Sequence, residues 1–203
     1  RNKNIVGVVT GFSADTGMAL KKVISILDET PLITSDLMEL ARWISKYYMC
    51  SFGAALNLIV SDIRPAPGKK NDKKISAAQT ADIQLNAEQK DSVSKIISSL
   101  KNPESIDRTF LLHGLNDSGK TEVYIRAIEW CITNGFSAIF MVPDVSLISQ
   151  FKQQFSERFG DSMAVWHSGL AKSAKNRFIW RLDHGEIKVV IGTRSAVLLP
   201  IKK

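Results

Sequence analysis

The chain has 203 residues, of which 44% are hydrophobic and 23% charged, the balance of one large or two small globular domains with a core. That composition excludes disorder throughout, and no apolar run reaches the ~20 residues of a membrane span. The net charge of +7 suits an anionic partner, but it is spread over both halves and is common among cytosolic proteins, so charge alone leaves the partner open.

The opening Arg1-Asn-Lys-Asn4 has neither Met nor a signal-peptide pattern, so a cytoplasmic, internal piece of a longer chain is expected. Residues 5–9 read as a strand, and 18–27 fit strand or helix equally. Thr34-Ser-Asp36 offers an N-cap to an amphipathic helix. Leu37, Leu40, Ala41, Ile44, Tyr47 and Tyr48 fall on one face of it. The two tyrosines are expected half-buried in the core; stacking on a base is the other use of such a pair. After Gly53 the apolar run 55–60 reads as a short strand, so helix, turn and strand suggest a small winged-helix-like α+β unit over 34–64. Arg64-Pro-Ala-Pro-Gly-Lys-Lys-Asn-Asp-Lys-Lys74 opens a linker over 65–82. Its Lys69, Lys70, Lys73 and Lys74 either stay solvated or touch DNA phosphates. Cys50 and Cys131 stand apart, in neither a disulfide nor a metal pattern.

Beyond the linker the pattern becomes an alternation. Asn86-Ala-Glu-Gln89 forms a capping box, with Val93, Ile96, Ile97 and Leu100 on one face behind it. A strand is expected at 109–113, then a glycine-bearing loop and a helix over 119–131 closed by Asn134-Gly135. Strand 137–142, helix 146–159, strand 163–167, helix 172–182 and strand 187–191 follow. Strands apolar on both sides, separated by helices, predict an α/β parallel sheet with helices on both faces over 83–203.

Gly114-Leu-Asn-Asp-Ser-Gly-Lys-Thr121 matches G-x-x-x-x-G-K-[ST] at every fixed position, between an expected strand and a helix start. Such a loop turns backbone N–H groups and the positive end of a helix dipole toward phosphates. Gly114, Asn116, Asp117, Ser118, Gly119, Lys120 and Thr121 are therefore candidate nucleotide-binding residues. Lys120 would meet the β- and γ-phosphates, and the Thr121 hydroxyl would ligand Mg²⁺. A degenerate loop in a non-binding domain is the competing reading. His113 and His167 are read as structural, His167 ordering the loop at a strand end.

Around this loop, Leu111-Leu-His-Gly-Leu-Asn-Asp-Ser-Gly-Lys-Thr-Glu-Val-Tyr124 resembles motif I of the PriA family of primosomal replication-restart DNA helicases, also called primosomal protein N′. Met141-Val-Pro-Asp-Val-Ser-Leu147, Trp166-His-Ser-Gly-Leu170 with Trp180 after it, and Val190-Ile-Gly-Thr-Arg-Ser-Ala-Val197 resemble later segments of the family in order and spacing. Leu85-Asn-Ala-Glu-Gln89 resembles its adenine-recognition motif. Gly7-Val-Val9, Leu27-Asp-Glu-Thr-Pro31 and the Trp43…Tyr47-Tyr48 helix resemble the end of its N-terminal DNA-binding domain (here 1–33) and its winged helix.

The resemblance implies a RecA-like P-loop sheet, a partial first helicase lobe of an ATP-dependent 3′-to-5′ DNA helicase of replication restart. It implies ATP and Mg²⁺ as cofactors, with Gln89 reading adenine and Thr193, Arg194 and Ser195 on the DNA backbone. Single-stranded or forked DNA and other primosome proteins are the implied partners, with no membrane. The family's Asp-Glu-x-His box, second lobe with its arginine finger and zinc-binding cysteines are expected beyond Lys203, so these residues alone are expected to bind nucleotide with little or no turnover and no catalytic residue. Departures are Ile148-Ser149 for a Thr-Pro pair, a missing Pro near Val60-Ser61, and Asp117 where the family has Gly. The Asp117 charge and side chain oppose close phosphate approach, so weakened ATP affinity is expected. A non-catalytic DNA-binding or docking module and an unrelated P-loop enzyme are the alternatives.

Overall fold

A computed structural model describes residues 7–11, 22–26, 31, 33–63, 83–102, 104 and 108–201. The chain divides into two compact units, Arg1–Pro31 and Leu32–Lys203. In the first, residues 7–11 and 22–26 take no regular structure. The strand expected at 5–9 is therefore absent over Gly7, Val8 and Val9, and its first two residues lie outside the described set. Most of 18–27 lies outside it too, as does the whole linker 65–82.

The second unit opens with two helices, α1 (Ser35–Tyr47) and α2 (Phe52–Ile63). Thr34 caps α1 as expected, its Oγ1 accepting from Leu37 N at 3.3 Å. Leu37 and Ala41 are buried, and Leu40 and Ile44 pack beside them. Tyr47 and Tyr48 correct the expectation of half-burial: they are 65% and 67% exposed. They stand at the end of the helix, past Ile44, and pack on Trp43 one turn back, with ring centroids 4.8 and 6.4 Å away. The run 55–60 is a second correction, because it is helix and not strand. Ser51 starts it, its Oγ accepting from Ala54 N and its carbonyl from Ala55 N. Ala55, Leu56 and Ile59 then form a helical stripe in the core, a period that a short apolar run does not distinguish from a strand. The described part of 34–64 is thus a helix pair without a wing.

Next come α3 (Ala87–Lys101), α4 (Lys120–Thr133), β1 (Ala138–Met141), α5 (Ser146–Phe159), β2 (Met163–Trp166), α6 (Lys172–Asp183) and β3 (Val189–Gly192), within two residues of the expected bounds at most ends. The strands form one parallel sheet in the order β1-β3-β2. That order dictates where the helices lie. The chain runs from β1 past β3 to β2, then reverses to β3. Right-handed crossovers in opposite directions put their helices on opposite faces.

The core divides accordingly. Val189 and Ile191 of β3 face Ile125 and Ile128 of α4 and Ile148 and Phe155 of α5. Val190, between them, faces Phe178, Ile179 and Leu182 of α6 and the α1–α2 pair. Helices cover both faces, as the doubly apolar strands predict. No helix among the described residues is long and apolar enough to cross a membrane.

The strand expected at 109–113 is the main correction to the sheet. Residues 108–115 have no regular structure, and Phe110 and Leu111 are 44% and 92% exposed. A strand exists only by pairing, and no described segment pairs with this one.

Candidate functional site

The parallel register brings Met141, Gly192 and Trp166 level at one end of the sheet. Everything that follows these residues lies along that carboxyl edge, where open α/β sheets place their sites. Val142–Asp144, His167–Gly169 and Thr193–Ser195 are the three segments there. The phosphate loop is held by α4, whose Tyr124 packs on Phe140 near the end of β1, ring centroids 5.8 Å apart.

The loop takes the shape its glycines permit. Gly119 caps α4 at φ 78°, and a Cβ on Gly114 would come within 2.9 Å of Ser118 Oγ. Asp117 adopts φ 61°, a left-handed conformation that glycine takes without penalty. Lys120 Nζ lies inside the loop and donates to the Gly114 carbonyl at 2.8 Å, to the Leu115 carbonyl, and to Ser118 Oγ at 3.4 Å. Thr121 follows in the first helical turn, and Asn116 is exposed at the loop tip. The donors suit phosphate: a cation, a hydroxyl and a helix N-terminus. Phosphate entry requires Lys120 to leave its own carbonyls.

The capping box puts Gln89 at the loop. Its Oε1 accepts from Asn86 N at 2.9 Å, and its Nε2 donates to the Ser118 carbonyl at 3.1 Å. An open cavity of about 440 Å³ is lined by Ile83, Gln84, Leu85, Lys90, Val93 and Arg126, with neither Gln89 nor a loop residue in its lining. Gln89 and the loop, 29 residues apart in the chain, thus meet as one site.

Thr193, Arg194 and Ser195 follow β3 in a turn that only glycine at 192 allows. A Cβ there would come 2.7 Å from the Trp166 carbonyl and closer still to Ala196 Cβ. Thr193 N donates to the Trp166 carbonyl at 3.3 Å, and the 3₁₀ turn Arg194–Leu198 leaves Arg194 exposed. Ser195 Oγ is buried without a partner among the described residues, as is His167 Nδ1. The His167 carbonyl accepts from Leu170 N at 3.2 Å, ordering the turn after β2, while His113 is exposed.

The acidic residues near the loop are engaged elsewhere. Glu122 is 5% exposed, and its Oε1 accepts from Arg126 Nε at 2.9 Å and Arg158 Nη2 at 2.5 Å. Asp144 Oδ1 accepts from Ser146 N at 2.8 Å at the start of α5. That backbone hydrogen bond, with the Ser146 side chain, holds its carboxyl below the ordinary value. Arg158 escaped the sequence reading: it sits on α5, far from Glu122 in the chain, with no local pattern to mark it. Arg126, at i+4 from Glu122, was legible in principle.

Residues 1–61 match the family described as 3′DNA-binding domain (3′BD), and residues 82–202 the family described as Type III restriction enzyme, res subunit. The chain is 32% identical over 206 residues to replication restart protein PriA of Rickettsia felis, an alignment covering 100% of this chain and 30% of the relative. Against the PriA of Treponema pallidum it is 32% identical over 215 residues, covering 99% and 31%. Against that of Bacillus subtilis it is 37% identical over 124 residues, covering 61% and 15%. The chain therefore spans about 30% of the length of the first two. The res-subunit match and the parallel sheet make residues 82–202 a RecA-like lobe, preceded by a DNA-binding domain.

Proposed function

We propose that this chain, which belongs to the family described as Type III restriction enzyme, res subunit, is the part of a PriA-type, ATP-dependent 3′-to-5′ DNA helicase of replication restart that joins a DNA-binding domain to the first motor lobe. The observation that carries this reading is the complete phosphate loop opening α4 directly beside Gln89. Lys120 would meet the β- and γ-phosphates and Thr121 would hold Mg²⁺, while Gln89 would read the adenine. ATP bound there supplies the phosphoryl-transfer energy that drives translocation. Thr193, Arg194 and Ser195 would contact the backbone of single-stranded or forked DNA, since hydroxyl, guanidinium and backbone N–H groups suit phosphate oxygens. Other primosome proteins are the partners this role implies.

For the residues described, nucleotide binding without helicase-rate turnover follows. Glu122 is held by two arginines and Asp144 accepts the Ser146 N–H, so neither is placed to activate water.

Titration with Mg²⁺–ATP tests the reading. Lys120→Ala is expected to abolish binding, because the cation inside the loop is lost; binding unchanged in that variant puts the nucleotide elsewhere. For DNA, log affinity is expected to fall with log salt by ~0.7 per phosphate contact on single strands. Arg194→Ala should weaken binding and flatten that slope by about one contact. An interaction indifferent to salt, or none, removes DNA from the proposal.

A further inference from the structure

The N-terminus of α3 and the phosphate loop meet at one carboxamide. Gln89 has two separable attachments there. Oε1 accepts from Asn86 N and closes the capping box, while Nε2 donates to the Ser118 carbonyl. The box also uses Asn86 Oδ1, which accepts from Gln89 N at 2.8 Å, so α3 is capped from both sides. Only the second attachment reaches the loop. The amide lies directly against Gly119, where a Cβ would collide with Nε2.

The peptide plane gives this bond a consequence. The Ser118 carbonyl and the Gly119 N–H belong to one planar trans unit and point in opposite directions. Drawing the carbonyl toward Gln89 turns the Gly119 N–H away from it. Gly119 at φ 78° then sets the start of α4, which carries Lys120 and Thr121. Without the tether, the Ser118–Gly119 unit is free to rotate between residues that glycine leaves permissive.

We propose that Gln89 is a positioning residue for phosphate, aiming the Gly119 N–H into the anion site through the Ser118 carbonyl, separately from any base it reads. This deepens the proposed function and rests on phosphate binding at that loop. A hydrogen bond that orders a binding loop beforehand strengthens binding by removing part of the ordering cost.

The probe is inorganic tripolyphosphate with Mg²⁺, which has phosphates and no base. Gln89→Ala is expected to weaken its binding roughly two- to tenfold, the worth of one net hydrogen bond. Asn86→Ala breaks the capping box without touching the tether and is expected to leave tripolyphosphate affinity unchanged. Gln89→Glu keeps the capping acceptor but cannot donate to Ser118, so it should weaken binding at least as much as Gln89→Ala. Backbone amide chemical shifts of the ligand-free chain give a second readout, because they report the orientation of the Ser118–Gly119 peptide. The Gly119 and Lys120 resonances should move in Gln89→Ala and Gln89→Glu and stay in place in Asn86→Ala. A residue that only reads the base would change ATP affinity and leave tripolyphosphate affinity and these shifts unmoved, and that result overturns the inference. If the wild-type chain binds neither ATP nor tripolyphosphate, the proposed function fails first and takes the inference with it.

Discussion

Strand β3 and the segment 109–113 are both short apolar stretches that end in a glycine turn. Val189–Gly192 is buried at all four residues, with β1 on one side, β2 on the other and helices over both faces. Among the described residues, the segment before the phosphate loop has no strand beside it, and Leu111 is 92% exposed. Their composition does not separate them; the supply of partners does. A strand's hydrogen bonds and its burial both come from neighbours, whereas a helix closes its own bonds and needs only one face covered. The helix on the far side of the loop accordingly forms, with Val123 and Ile125 buried, although the strand on the near side does not.

The largest effect expected from this contrast is in stability. Phe155 of α5 is fully buried against Phe140 and Phe159, with ring centroids 4.8 and 5.6 Å away. Phe155→Ala should cost about 3–5 kcal/mol, the transfer term plus a cavity that a rigid sheet does not fill. Leu111→Ala should cost less than about 0.5 kcal/mol, as an exposed side chain does. Urea unfolding of the two variants checks this. A Leu111→Ala cost near that of Phe155→Ala would mean that 109–113 is a packed strand in solution, and the contrast would collapse.

The same contrast explains what was legible in the sequence. Thr34, the Asn86–Gln89 box and Gly135 after α4 marked helix ends correctly, because caps are local chemistry. The phosphate loop was legible for the same reason: its glycines and Lys120 are contiguous. Whether an apolar run becomes strand or helix depends on what lies beside it, and both 55–60 and 109–113 went astray there. Tyr47 and Tyr48 failed differently. Their spacing put them on the core face of α1, but the core ends before they do. The Gln89 bond to Ser118 and the Arg158 bond to Glu122 were invisible because nothing in a local pattern names a partner across such a separation.

A smaller effect concerns the loop itself. Asp117 combines a left-handed backbone with a negative charge on the loop proposed to bind phosphate. Gly at this position removes the ~1–2 kcal/mol left-handed penalty of an L-residue, which Asp bears more easily than most. It also adds back unfolded-state entropy, of roughly 0.5–1 kcal/mol. Asp117→Gly should therefore change stability by under about 1 kcal/mol while tightening Mg²⁺–ATP binding. Asp117→Ala separates the two causes, because it removes the charge and keeps the backbone penalty. Calorimetric titration of both variants should rank affinity as Gly, then Ala, then wild type. Weaker binding by Asp117→Gly would show that the loop needs the carboxylate and that repulsion is the wrong account.

The smallest effect distinguishes two acids, Asp117 of the phosphate loop and Asp144 after β1. Asp117 is exposed on the loop proposed to take phosphate, whereas Asp144 accepts the Ser146 N–H at 2.8 Å at the start of α5. The Ser146 backbone hydrogen bond, and then its side chain, lower the Asp144 carboxyl from its ordinary value of 3.8. A carboxyl lowered in the folded state stabilises the fold above the unfolded value, where the carboxylate is charged in both states. That contribution is lost as pH falls through the folded value, and below both values nothing remains of it. Asp144→Asn keeps an oxygen for the Ser146 N–H and does not titrate. The wild type should therefore be slightly more stable than Asp144→Asn at neutral pH, through the charge at the N-terminal end of the α5 dipole. The difference should shrink on acidification and vanish or reverse once the carboxyl is protonated. Full solvent exposure keeps the effect small and sensitive to salt. Urea midpoints of the two proteins along a pH series, at low and high salt, read it directly. A stability difference that stays constant through the carboxylate range would mean that the Asp144 charge contributes nothing and that only its hydrogen bond starts α5.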